Sequence, residues 1–136
     1  MTIAQSVEFP LVCQNCGTPG AAWKGQAVRR GELLWEINFQ CLNCGLTSCD
    51  FDPGEAPAHI RDALLATHGP ARLRVEDPKG RIKLLQVLRS TFGWPLDRAR
   101  RALAELGTTG YRCTDVEAEF LRRRLTELGV HALVEK

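Results

Sequence analysis

The chain of 136 residues is 44% apolar and 25% charged with a formal net charge of +2, an ordinary globular composition sufficient for one or two small domains. No apolar run approaches the roughly 20 residues that cross a bilayer, and the opening MTIAQSVEFP lacks the basic start and apolar run of a secretory signal, so the expectation is a cytoplasmic protein with no membrane partner. The small net charge hides an asymmetry: residues 1–70 hold 4 Lys+Arg against 7 Asp+Glu, a balance of −3, while residues 71–136 hold 14 against 9, a balance of +5.

Four of the six cysteines fall in two short phrases, Cys13-Gln-Asn-Cys16-Gly17 and Cys41-Leu-Asn-Cys44-Gly45, separated by 24 residues. In a reducing compartment such pairs point to metal rather than to disulfides. Two residues between cysteines let both thiolates turn toward one ion, and the following glycine can take the positive φ that lets backbone amides face the sulfurs. The expectation over residues 1–54 is a zinc ribbon with one structural zinc ion held by Cys13, Cys16, Cys41 and Cys44. A four-sulfur site leaves no open position for catalysis. The competing readings are a redox pair and a catalytic ion that recruits Cys49 or a histidine. Cys49 reads more simply as a free thiol, and the isolated Cys113 as a core residue.

Between the cysteine pairs, Ala27 to Arg30 and Glu32 to Gln40 flank Gly31, and Leu33, Trp35, Ile37 and Phe39 alternate with Leu34, Glu36, Asn38 and Gln40. That is strand alternation with the apolar set on one face. Asp50 and Asp52, beside Pro53-Gly54, read as turn residues. Residues 55–70 are expected to form a connecting helix that packs Ile60, Ala63, Leu64 and Thr67 on the ribbon and stops at Gly69-Pro70.

From Ala71 the pattern changes. Ala71 to Glu76 alternates as a strand, and Asp77-Pro-Lys-Gly80 turns into a helix whose apolar stripe is Ile82, Leu85, Leu88 and Phe92, widened by Leu84 and Val87. Arg81, Lys83, Gln86 and Arg89 are left to face outward. Gly93 breaks the helix and Pro95 opens a second one, striped by Leu96, Ala99, Leu103 and Leu106, with Arg98, Arg100 and Arg101 outside and Gly107 as a left-handed stop. Tyr111 to Cys113 is a short strand. Thr114-Asp-Val-Glu117 is a capping box for a third helix, with Phe120, Leu121, Leu125 and Leu128 inward, Arg122 to Arg124 mostly outward and Gly129 as stop; Val130 to Val134 closes as a strand. The fold class is therefore α+β, a zinc ribbon followed over residues 71–136 by a β-α-α-β-α-β domain with helices on one face of a three-stranded sheet.

Residues 80–136 resemble the C-terminal domain of the bacterial large-subunit ribosomal stalk protein, which recruits translational GTPases. Arg81-Ile-Lys-Leu-Leu-Gln-Val-Leu-Arg89 is similar to its first helix, Gly93-Trp-Pro-Leu-Asp-Arg-Ala-Arg100 to its turn and second helix, and Glu117 to Gly129 to its last helix. The resemblance implies a partner-binding surface at Arg81, Ile82, Leu85, Gln86, Arg89, Gly93, Trp94 and Arg100. This chain departs from the family at Gln86, where a lysine is usual, and at Trp94-Pro95, which replaces leucine and glycine. The zinc ribbon also stands in place of the family's dimerisation segment and hinge. The same architecture resembles the adaptor that delivers N-degron substrates to bacterial Clp proteases, but only at the level of fold.

No nucleophile, base and orienting acid fall in a recognisable arrangement, no glycine-rich phosphate loop is present, and His59, His68 and His131 are scattered. The reading is a binding protein and not an enzyme. Its partner is a protein docked on the basic helical pair 81–103, a translational GTPase or another ribosome-associated factor. The alternatives are an immunity-type protein that neutralises a toxin and a ribbon-based RNA-binding module. The arginine runs read better as solvated faces than as a nucleic-acid footprint, because Trp94 is the one aromatic placed near them for stacking.

Overall fold

The computed structural model describes residues 3–136. The chain divides into two compact units, residues 1–67 and 68–136, each of which is built on its own antiparallel sheet.

The first unit is a four-stranded meander of β1 (Ile3–Val12), β2 (Pro19–Arg29), β3 (Glu32–Gln40) and β4 (Thr47–Pro53), paired in chain order. The β2–β3 hairpin closes through Arg30 and Gly31 at φ 54° and 78°. Positive φ at both central residues gives the tight turn whose twist matches the flanking strands. The central hairpin corresponds to the alternation around Gly31, although β2 begins eight residues before Ala27.

The two outer strands were not foreseen. β4, Thr-Ser-Cys-Asp-Phe-Asp-Pro, is exposed along its whole length, so no burial imposes an apolar alternation on it. Asp50 and Asp52 are therefore strand residues, paired with Ile37 and Trp35, and not turn residues. β1 carries Pro10, which an edge strand tolerates because the missing N–H can face away from its neighbour. Its close approach to β2 depends on Gly25, since a Cβ there would lie 2.1 Å from the Gln5 carbonyl oxygen.

Helix α1 (Ala58–His68) packs Ile60 and Leu64, with Ala56, against Val7, Trp35 and Ile37 of the sheet. Ile60 and Leu64 face inward as their spacing predicts. Leu65 is also buried, while Ala63 is half-buried and Thr67 is exposed. The more apolar neighbour takes the inward position, as burial favours.

The second unit runs β5 (Ala71–Arg74), α2 (Pro78–Phe92), α3 (Leu96–Leu106), β6 (Tyr111–Cys113), α4 (Asp115–Glu127) and β7 (Leu133–Glu135). The sheet order is β6-β5-β7, with β5 in the middle and antiparallel to both neighbours. Ala71, Leu73 and Val75 are buried on one side, together with Tyr111 and Cys113. The helices bring Leu84, Val87 and Leu88, then Ala99, Ala102 and Leu106, then Val116, Phe120, Leu121 and Leu125 to the same core.

Local signals set the helix ends. The Asp77 carboxylate accepts from the Lys79 amide at 3.0 Å and Pro78 occupies the first turn, where its missing N–H costs nothing. Gly93 ends α2 at φ 67°, with its N–H donating to the Arg89 carbonyl. At α4 the capping box forms in full. The Glu117 amide donates to Thr114 Oγ1 at 3.1 Å, and the Thr114 amide donates to Glu117 Oε1 at 3.0 Å.

Three expectations about this unit require correction. The inward face of α2 is Gly80, Leu84, Val87 and Leu88, not the stripe through Ile82 and Leu85, and Ile82 is 56% exposed. A Cβ at Gly80 would come within 2.7 Å of Val130 and 2.9 Å of Val75, so the glycine brings the start of α2 hard against its neighbours and fixes its rotation. On α3, Ala102 faces inward while Leu103 is half-buried and Leu96 is exposed, and on α4 Leu128 lies outside the core. Gly107 has φ −80°; the left-handed residue is Gly110 at φ 92°, whose N–H donates to the Glu105 carbonyl at 2.7 Å.

Candidate metal centre and docking surface

Each turn at the cysteine end of the ribbon is built in the same way. After β1 the Cys13 amide donates to the Thr18 carbonyl at 3.0 Å and the Gly17 amide to the Cys13 carbonyl at 2.9 Å. After β3 the Cys41 amide donates to the Leu46 carbonyl at 2.8 Å and the Gly45 amide to the Cys41 carbonyl at 3.0 Å. Gly17 and Gly45 sit at φ 74° and 80°, where a Cβ would be strained. The local chemistry of Cys-x-x-Cys-Gly thus dictates two matching knuckles, and the antiparallel register of the meander brings them together.

The four Sγ atoms of Cys13, Cys16, Cys41 and Cys44 all lie within 4.8 Å of one another. Cys13 and Cys44 are 3.7 Å apart and Cys16 and Cys41 3.6 Å, with all four cysteines free of disulfides. A tetrahedron with metal–sulfur bonds of about 2.3 Å has edges of about 3.8 Å, so the spacing fits one four-coordinate ion. Cys13 and Cys41 are buried beside Ala22, Phe39 and Phe9, while Cys16 and Cys44 are exposed.

Two of the thiols, Cys16 and Cys44, are also favoured as thiolates by their hydrogen bonds. Thr18 Oγ1 lies 3.2 Å from Cys16 Sγ, and Asn43 Nδ2 donates across from the other knuckle to that sulfur at 3.6 Å and to Thr18 Oγ1 at 3.1 Å. Hydrogen bonding with Thr18 and Asn43 holds the Cys16 thiol down at about 5, and that with Asn15 and the Leu46 amide lowers Cys44 as well. A lowered pKa favours the thiolate, the form a metal requires.

Cys49 lies outside the cluster, exposed on β4 opposite Asn38. Cys113 is buried in the second unit, where its Sγ lies 3.7 Å from the Tyr111 carbonyl. His59, His68 and His131 are each exposed, and none joins a group of metal-binding side chains among the described residues.

The residues expected to form a docking surface separate into three groups. Ile82, Gln86, Arg89 and Gly93 are exposed at helical steps of four, three and four, so they form one solvent-facing stripe along α2; Leu85 flanks it half-buried, and Arg100 is exposed on α3. Arg81 is half-buried and committed: its Nε donates to the Val75 carbonyl at 2.9 Å and its Nη2 to the Glu76 carbonyl at 3.1 Å, tying α2 to the end of the strand region.

Trp94 does not belong to the surface. It is 6% exposed, with its ring 5.2 Å from Phe92 and 6.2 Å from Tyr111 in an edge-on contact, while the Arg98 guanidinium lies 4.1 Å over it. The aromatic residue that reads as an interface anchor is a core residue roofed by a cation.

Several basic residues are neutralised locally. Arg122 and Arg123 both pair with Glu119, and Arg124 pairs with Glu127, so the arginine run of α4 is largely an internal network. The first two hold the Glu119 carboxyl below the usual range, Arg122 chiefly by hydrogen bonding. Lys83 Nζ donates to the Leu128 carbonyl at 3.0 Å, satisfying a helix-end acceptor. The basic residues the linear reading passed over are Arg72, Arg74 and Arg112, and the signal for them was the alternation of the segment from Ala71 itself.

No helix among the described residues is long and apolar enough to cross a membrane. No family model, curated protein or solved structure matches the chain.

Proposed function

We propose that the protein is a non-catalytic adaptor: a ribbon folded around one structural zinc ion, joined to a domain that docks a translational GTPase through the outer stripe of α2. Zinc is the ion that best suits four thiolates in a closed tetrahedral arrangement with no position left for water. A reducing cytoplasm is the compartment in which such thiols stay available.

The observation that carries the docking proposal is the exposed stripe Ile82, Gln86, Arg89 and Gly93. It sets a large apolar side chain two turns from an arginine on a helix whose opposite face is buried in the core. The resemblance of residues 80–136 to the stalk protein's C-terminal domain supplies the class of partner. Arg100 extends the surface, Leu85 contributes its edge, and Arg81 supports it from behind.

The test uses zinc-loaded full-length protein and purified bacterial elongation-factor GTPases in a binding titration. Arg89→Glu combined with Ile82→Ala should weaken binding by at least about tenfold, the loss expected when a charge-assisted contact is removed, with an unchanged circular dichroism spectrum. No binding by the unaltered protein, or binding indifferent to the double change, overturns the docking role. Metal analysis of the purified chain separately tests the ion, and iron in place of zinc would overturn its identity.

A further inference from the structure

In the first unit one face of the ribbon sheet is covered and the other is open. Val7, Trp35 and Ile37 lie under α1, so the strand alternation puts Trp23, Gly25, Glu36, Asn38 and Phe51 on the opposite side. There Trp23 is 38% exposed and Phe51 66%. Two hollows open on this outer face, and Trp23 walls both. One, of about 280 Å3, lies over Gly25 between Ser6, Glu36 and Asn38. The other, of about 120 Å3, lies toward the cysteine knuckles between Pro19, Ala21 and Leu42.

The two hollows differ in chemistry. No residue from Phe9 to Trp23 or from Ile37 to Cys49 is charged, so the knuckle-side hollow is neutral, and Leu42 in its wall is 91% exposed. It suits an apolar side chain. Toward the hollow over Gly25 the face turns acidic: its outward strand positions hold Glu8, Glu32 and Glu36 against Arg29 alone. Arg29 is already engaged, pairing with Glu36 at 3.2 Å. Glu8 stands directly across from Trp23, is exposed, and makes no ion pair among the described residues. A cation set against Trp23 gains from the ring and from that carboxylate together. We propose that this face binds an extended peptide segment of a partner, with a basic side chain in the hollow over Gly25 and an apolar one beside Leu42.

Exposed rings such as Trp23 and Phe51 are also platforms on which bases stack, but charge decides against single-stranded RNA. Its phosphates would lie over three carboxylates and one engaged arginine, the reverse of the neutralisation such binding needs. Spacing favours an extended peptide. Ala21 and Gly25, at the floors of the two hollows, stand four residues apart on β2, or about 13 Å at the rise of a strand. The same rise in a bound segment brings side chains four positions apart over the two hollows, both on the side that faces the sheet. The site belongs to the first unit and owes nothing to the α2 stripe of the second.

The experiment is a two-dimensional NMR titration of zinc-loaded full-length protein with a serine peptide carrying one leucine and, four positions on, one arginine. The Trp23 indole N–H and the amides of Ser6, Asn38 and Leu42 should shift. The same peptide with glutamine for arginine should bind at least about fivefold more weakly, and a single-stranded RNA of similar length should leave those signals in place. Trp23→Ala should weaken peptide binding by at least about tenfold, whereas Arg89→Glu, on the α2 stripe, should leave it unchanged. Glu8→Lys, a single change at an exposed position of the edge strand, should weaken it by at least about fivefold and decides the matter should the Trp23 variant fold poorly. Absence of shifts at those residues, preference for RNA, or affinity indifferent to the peptide's arginine, to Trp23→Ala or to Glu8→Lys overturns the proposal.

Discussion

In the first unit the buried cluster at the cysteine end consists of Cys13, Ala22, Phe39 and Cys41 with Phe9 against it, two of its four members being sulfur ligands. In the second unit three helices and a sheet bury at least ten large or medium apolar side chains, among them Leu73, Leu84, Leu88, Leu121 and Leu125, each at most 1% exposed. The first unit combines a cysteine cluster spaced to hold one ion with a small apolar core under α1, whereas the second rests throughout on apolar surface that water expels. Charge separates them too, since the acidic balance lies in the first half and the basic balance in the second. A small lobe can dispense with a large core when a metal supplies the missing free energy.

The sharpest way to break this contrast is to take the ion away. Chelation, or Cys41→Ser, should unfold the first unit, because a structural four-thiolate site contributes on the order of 10 kcal/mol. Amide resonances of residues 3–67 should collapse in a two-dimensional NMR spectrum while those of the second unit's core persist. Loss of both sets together would show that the second unit's folding depends on the metal after all.

A smaller effect separates core from surface within the second unit. Trp94→Ala should cost about 3–5 kcal/mol, as for other buried large aromatics, because it empties the space between Phe92 and Tyr111 and leaves Arg98 without its ring. Ile82→Ala, on the exposed stripe, should change stability by no more than about 0.5 kcal/mol. Urea unfolding of the two variants measures the gap directly, and equal losses would place Ile82 in the core.

The smallest effect concerns Glu119 and its two arginines. Its carboxyl is held below the ordinary range, first by the hydrogen bond from Arg122. A lowered folded-state pKa stabilises the fold above the unfolded value of about 4.3 and loses that contribution as pH falls through the folded value. Because the pair is largely at the surface, the contribution should stay below about 1 kcal/mol. The difference in melting temperature between the unaltered protein and Glu119→Gln should therefore be present at pH 6 and shrink as the solution is acidified below about pH 4. A difference that grows on acidification would reverse the assignment.

Much of the site was legible because its chemistry is local. The repeat of Cys-x-x-Cys-Gly names the four cysteines that come together, and the glycine after each pair has the positive φ that the spacing implies. The capping box at Thr114 and the break at Gly93 were equally readable, since a cap is made within one helical turn. β4 was hidden for the opposite reason. A fully exposed edge strand gains its backbone hydrogen bonds from β3 whatever its side chains are, so Asp50 and Asp52 carry no sign of the pairing.

The sequence by itself determined the cysteine cluster, the order of strands and helices after Ala71 and the places where the helices stop, because spacing and capping act over a few residues. Only the tertiary structure decided which way each helix turns. With six apolar residues on α2, several rotations bury a comparable area, and the close approach at Gly80 to Val75 and Val130 selects the one that leaves Ile82 outside. It likewise decided that Trp94 is core, and it brought Arg72 opposite Arg112, forty residues away in the chain, on one face of a sheet. Long-range register depends on all the strands at once, and no stretch of residues contains it alone.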